Sequence, residues 1–156
     1  MDQNVTQPNS VPQQSVSQVQ PAGQRKISIL LIDDDRLLLN MYARKFDASG
    51  FAVDTCQSAP LALEKLKGGF TPDLLIVDII MPGMDGIQFV REVRNQNLAP
   101  RAKVVMLTNE SDNAQLKNAG DLRVDGYLIK AITIPSEVVT RVREILSGKR
   151  FFADPF

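Results

Sequence analysis

Two short runs, Leu74-Leu75-Ile76-Val77 and Val104-Val105-Met106-Leu107, are apolar at every position. A strand with one wet face alternates apolar and polar side chains. A strand that is apolar throughout has both faces covered, as in a parallel sheet with helices on each side. Strand-like segments at 27–32, 51–56, 74–77, 102–107 and 127–129 alternate with helical patterns. Residues 36–49 carry Leu38, Tyr42 and Phe46 at helical spacing, 59–67 carry Leu63 and Leu66, and 86–96 carry Phe89, Val90 and Val93. A short helical segment follows at 112–119. The last pattern starts near Pro135, a residue suited to a first turn, with Val138, Val142, Ile145 and Leu146 on one stripe. Five strand–helix units in succession predict a doubly wound parallel α/β sheet.

Both ends differ from this core. Residues 1–26 are rich in Gln, Ser, Asn and Pro and nearly uncharged. They bury too little apolar area to offset their ordering entropy and read as a disordered tail, or as a segment that folds on a partner. The domain is expected to span 27–148, with Gly148 as a helix stop. In the short tail 149–156, Phe151, Phe152 and Phe156 either fold back on the domain edge or meet a partner. Lys plus Arg and Asp plus Glu number 18 each, so no broad field for nucleic acid or a membrane surface is expected. Histidine is absent and Cys56 is the only cysteine. Histidine bases, histidine or cysteine metal sites and an internal disulfide are therefore excluded, and Cys56 reads as a small buried apolar residue. No apolar run approaches the roughly 20 residues of a membrane span, and no signal peptide is visible at the N-terminus. A cytoplasmic location is expected.

The informative residues stand where strands end. Ile27–Ile32 runs into Asp33-Asp34-Asp35, and Leu74–Val77 runs into Asp78, which is followed by the turn formers Met81-Pro82-Gly83 and Asp85-Gly86. In a flavodoxin-like order, 2-1-3-4-5, strands one and three are neighbours, so several carboxylates would share one pocket at the carboxyl edge of the sheet. Like charges that close repel unless a cation neutralises them, and an all-oxygen donor set points to Mg²⁺. One of Asp33–Asp35 has a simpler use as a helix cap, and Asp85-Gly86 a simpler use as a turn and helix start. Thr108 ends the fourth strand and Lys130 the fifth. A hydroxyl donor and an ammonium beside carboxylates suit a phosphoryl group, with Asp78 as the nucleophile.

The segments "ILLIDDD", "LLIVDIIMPGMDG", "VVMLT" and "GYLIK" resemble, in this order and spacing, the receiver domain of response regulators in two-component signalling. The resemblance covers about 27–147. It implies that Asp78 accepts a phosphoryl group from a sensor histidine kinase or a histidine phosphotransfer protein. It implies Mg²⁺ held by Asp34, Asp78 and the Ile80 carbonyl, with Asp33 acting mainly through water. It implies that Thr108 and Lys130 contact the phosphoryl group and that Tyr127 is the aromatic that reports the switch. The output would then be a protein contact, with no direct nucleic-acid binding and no membrane insertion. The chain is a phosphoacceptor on this reading, not an enzyme.

The sequence departs from the family pattern at four places. Ala131 replaces the usual Pro after Lys130, so a trans peptide is expected there. The segment before "DGYLIK" is about three residues longer than usual, Asn109 replaces a small residue, and the N-terminal segment has no counterpart. Ile80, two residues beyond Asp78 at the pocket mouth, is apolar and obstructs an attacking water, which predicts slow loss of the phosphoryl group. Two other readings remain open: a receiver-fold scaffold that works without phosphorylation, and a Mg²⁺-dependent phosphatase with an aspartyl nucleophile. The second wants an acid where Ile80 stands.

Overall fold

Leu74–Asp78 forms a strand, β3, that is buried along its whole length. Removing each of its large apolar side chains from water contributes about 1.5–3 kcal/mol, which is why this segment lies at the centre of the sheet. The structure, a computed structural model, describes residues 24–109, 114, 122–130 and 133–152, without the side chains of Phe151 and Phe152. The other strands are β1 (Ser28–Ile32), β2 (Ala52–Cys56), β4 (Lys103–Thr108), β5 (Gly126–Ile129) and β6 (Phe151–Phe152). All pair in parallel, in the order β2-β1-β3-β4-β5-β6. The expected 2-1-3-4-5 order is therefore present, and a two-residue strand extends it beyond β5.

Among the described residues four helices cover the two faces. They are α1 (Arg36–Ala48), α2 (Ala59–Lys67), α3 (Gly86–Asn95) and α4 (Pro135–Leu146). Alternation along each strand divides the core between them. Leu30, Ile32, Leu75, Val77, Val104 and Met106 pack with α2 and α3. Ile29, Leu31, Leu74, Ile76, Val105 and Leu107 pack with α1 and α4. β1, β3 and β4 show apolar residues to both faces, which accounts for the unbroken runs in the sequence. Cys56 is free and buried in the α2/α3 core, and burial pushes its thiol pKa up.

The helix starts are set by local polar residues. Asp35 caps α1, its Oδ1 accepting from the Leu37 and Leu38 amides. Ser58 caps α2. Asp85 and Gln88 form a reciprocal capping box on α3, Gln88 N to Asp85 Oδ1 at 2.8 Å and Asp85 N to Gln88 Oε1 at 3.1 Å. α4 starts on Pro135 without a side-chain cap.

Arg25, which the sequence assigns to the N-terminal tail, makes a bidentate pair with Asp73 at the root of β3. Residues 1–23, Glu110, Ala131 with the Lys130–Ala131 peptide, Phe156 and all but one residue of the helix expected at 112–119 lie outside the described residues. Among the described residues no helix is long and apolar enough to cross a membrane.

Candidate functional site at the carboxyl edge of the sheet

The parallel register brings four strand ends together. Ile32 pairs with Val77, so Asp33 follows beside Asp78. Asp78 pairs with Leu107, one residue before Thr108, and Thr108 pairs with Ile129, one residue before Lys130. Asp33, Asp78 and Thr108 are buried at 1%, 3% and 1% exposure. They are the buried polar side chains of a core otherwise apolar among the described residues. Burying a carboxylate costs several kcal/mol unless it is paired, so the partners of each one decide what it does.

Asp33 is fully engaged. Its Oδ1 accepts from the Asp35 amide at 2.9 Å and its Oδ2 accepts from Lys130 Nζ at 2.6 Å. Lys130 reaches this position from β5, across the end of the sheet, and its side chain is nearly as buried as that of Asp33. Asp78 is not engaged in the same way. Lys130 Nζ lies 3.2 Å from Asp78 Oδ1, an ion-pair distance without hydrogen-bond alignment. Among the described residues nothing donates a hydrogen bond to that buried oxygen.

The electrostatics follow from this geometry. Burial pushes the Asp78 pKa up; Lys130 opposes the shift, Asp33 and Asp34 add to it, and the result is about 7. Burial alone would lower the Lys130 pKa, but the Asp33 hydrogen bond and the two facing carboxylates outweigh it and hold the ammonium protonated. Tyr127 on β5 is half-buried against the α2/α3 core, and burial raises its phenol pKa. Tyr42 of α1, buried against the opposite face, feels Lys130 and Asp33 as well as its own burial.

Oxygens of Asp33, Asp34 and Asp78 all lie within 4.8 Å of one another, Asp34 being exposed. Three carboxylates at that spacing, one with a buried oxygen that accepts no hydrogen bond among the described residues, fit a hard divalent cation. Ile80, two residues beyond Asp78, is 46% exposed. Asp35 and Asp85 are helix caps, as their simpler readings had it. One contributor, Gly86, reads in the sequence only as part of a turn, and its backbone packs directly on Asp78. A glycine just inside a helix start, where a good helix former is favoured, was the available signal.

Residues 29–143 match the response regulator receiver domain family. The transcriptional regulatory protein ResD of Bacillus subtilis (strain 168) is 33% identical over 122 residues, which cover 76% of this chain and 47% of that protein. The transcriptional regulatory protein CpxR of Klebsiella pneumoniae is 35% identical over 118 residues, covering 76% of this chain and 48% of that protein. The chain spans about half the length of these curated relatives. Among solved structures, a putative response regulator from Chloroflexus aurantiacus superposes with a TM-score of 0.70 at 29% identity, covering 79% of this chain and 99% of that one. The chemotaxis response regulator CheY4 of Vibrio cholerae gives 0.67 at 26% identity, covering 78% and 99%.

Proposed function

Because this chain belongs to the response regulator receiver domain family, we propose that it is a phosphorylation switch in which Asp78 accepts a phosphoryl group. The observation that carries this reading is the Asp78 Oδ1 atom, a buried carboxylate oxygen with an ammonium 3.2 Å away and no hydrogen bond among the described residues. A carboxylate held for structure has its oxygens satisfied. This one leaves a buried oxygen with an ion pair but no hydrogen bond among the described residues.

In the proposed transfer, a carboxylate oxygen of Asp78 forms a bond to phosphorus as the bond to the donor atom breaks. The donor is the imidazole nitrogen of a sensor kinase or histidine phosphotransfer protein, which keeps the bonding electron pair and takes up a proton as needed. Asp78 must be ionised to attack. Lys130 offsets charge on the phosphoryl oxygens, and Thr108, at the adjoining strand end, donates a hydrogen bond to them. Asp34, Asp78 and the Ile80 carbonyl would hold Mg²⁺, with Asp33 in support. When bound, Mg²⁺ supplies positive charge that relieves carboxylate repulsion and stabilises the transferring group. Tyr127, on the strand that ends in Lys130, would reposition in the phosphorylated state, and signalling would pass through protein contacts.

The test is incubation of the purified chain with a small phosphodonor, with Mg²⁺ and with chelator. One alkali-labile acyl phosphate per chain, formed only with Mg²⁺, supports the reading. Its absence under conditions where the chain is folded would favour the phosphorylation-independent scaffold.

A further inference from the structure

The loop from Ile79 to Asp85 leaves the tip of β3 and returns to within contact of its own start. Ile79 and Met81 are buried and anchor it to the core. At the return point the Gly86 amide donates to the Ile79 carbonyl at 2.8 Å. The fit there is closer than any other residue type allows. A Cβ on Gly86 would lie 2.1 Å from the Asp78 carbonyl oxygen and 3.0 Å from both the Asp78 carbonyl carbon and the Ile79 Cα. Real Cβ atoms do not approach under 3.0 Å, and the obstacle is backbone that no rotamer change can clear. Any side chain at this position must therefore open the neck of the loop by about 1 Å.

We propose that Gly86 is a positioning residue for phosphoryl transfer: its bare Cα lets α3 clamp the Asp78–Ile79 peptide and so fixes the Asp78 carboxylate toward Lys130. The inference rests on the reading of Asp78 as phosphoacceptor. The clamp acts where displacement matters most. Lys130 Nζ is 2.6 Å from Asp33 but 3.2 Å from Asp78, so a shift of the Asp78 backbone alters the weaker of its two contacts. The Ile80 carbonyl, assigned above to the metal, belongs to the residue next after the clamped peptide. The capping box of Asp85 and Gln88 holds the start of α3 in register, so the helix does not simply retreat.

Gly83 supplies an internal control. It lies in the same loop at φ +77, and a Cβ there would meet nothing within 4 Å. Gly83→Ala strains the backbone at that residue without pressing on Asp78. Gly86→Ala and Gly83→Ala are compared as full chains, with circular dichroism giving the folded fraction, calorimetric titration giving Mg²⁺ affinity, and acetyl phosphate giving the phosphorylation rate per folded molecule. Transfer chemistry that depends on reactant placement loses about 100-fold for a 1 Å error. The expected result is a rate loss of that order in Gly86→Ala, with weaker Mg²⁺ binding, against less than about 3-fold in Gly83→Ala. Equal rates per folded molecule in the two variants would overturn the proposal and leave Gly86 a packing residue only. Should Gly86→Ala fail to fold, the wild-type amide resonances decide: the Gly86 peak must shift on Mg²⁺ addition well beyond the Gly148 peak, and an unmoved Gly86 peak overturns the clamp. Asp78→Asn separates this inference from its premise, because phosphorylation persisting in that variant contradicts the phosphoacceptor assignment itself.

Discussion

Strand β3 has an aspartate before its first residue and another at its last, and the two live in opposite circumstances. Asp73, at the root, is partly exposed and fully satisfied: both oxygens accept from the Arg25 guanidinium, at 2.8 and 2.7 Å, and Oδ2 also accepts from the Ser28 amide. The Arg25 hydrogen bond holds its pKa below the usual carboxylate value, against the opposing effect of burial. Asp78, at the tip, is buried, sits among other acids, and is pushed up to about 7. The residue type and the strand are the same. What differs is whether neighbouring donors exhaust the carboxylate. Asp73 ties the N-terminal approach to the sheet, whereas Asp78 keeps a buried oxygen that accepts no hydrogen bond among the described residues.

Substitution at the two ends should separate these roles most sharply. Asp78→Asn is expected to abolish acyl-phosphate formation, while Asp73→Asn stays within about 2-fold of wild type, since charge changes far from a site add little. Comparable losses in both would mean that neither carboxylate is special. A smaller effect is expected from Lys130→Ala, because an electrostatic stabiliser contributes while the nucleophile remains: phosphorylation should slow by about 100-fold. A rate unchanged in that variant would remove Lys130 from the site.

Next in size is the lifetime of the phosphoryl group. Ile80→Asn, which places a polar side chain two residues beyond Asp78, should speed hydrolysis by about 3- to 10-fold at fixed pH and Mg²⁺. Slower or unchanged loss would show that Ile80 does not govern water access.

The two aspartates should also tilt the pH dependence of stability in opposite senses. Asp78 has a folded pKa above its unfolded value near 4, so between about pH 4 and 7 the native state binds more protons than the unfolded chain. Stability of the metal-free protein is then lost as pH rises through that window, by about 1–3 kcal/mol, and Asp78→Asn should flatten the slope. Asp73, with a depressed folded pKa, contributes stability that is present above its unfolded pKa and lost as pH falls through its folded one. Because its pair with Arg25 is exposed, Asp73→Asn should lower Tm at pH 7 by only about 1–3 °C. Denaturant titrations with chelator across pH 4–8 check both, and a wild-type stability that rises from pH 4 to 7 would contradict the assigned shift of Asp78.

The sheet was legible because its signal is redundant. The unbroken apolar runs of β3 and β4, and the capping residues Asp35, Ser58 and Asp85, specify period and boundary together, so α2 was placed residue for residue, and β1 to β5, α1 and α3 within about one residue at each end. The return of Phe151 and Phe152 to the domain edge was legible, but not that they form β6 beside Gly126 and Tyr127, since two residues carry no periodicity. At the site, strand-end positions revealed which residue types converge, but not how they share partners. The direct grip of Lys130 on Asp33, a contact spanning 97 residues of sequence, could not be read from the strand ends. The role of Gly86 was hidden for the same reason, because a close approach is a property of two backbone segments and leaves only a missing side chain in the sequence. Likewise, nothing in "RKIS" announces that Arg25 will meet Asp73.

The most direct test of the difference between the two ends of β3 is chemical mapping of the phosphoryl group. The chain is treated with Mg²⁺ and acetyl phosphate, reduced with borohydride, which converts an aspartyl phosphate to homoserine, and sequenced by peptide mass spectrometry. Homoserine at position 78 alone, with Asp73 and the caps Asp35 and Asp85 unchanged, is the predicted result. Homoserine at any of those other positions in place of 78, or none at all in folded protein, would contradict it.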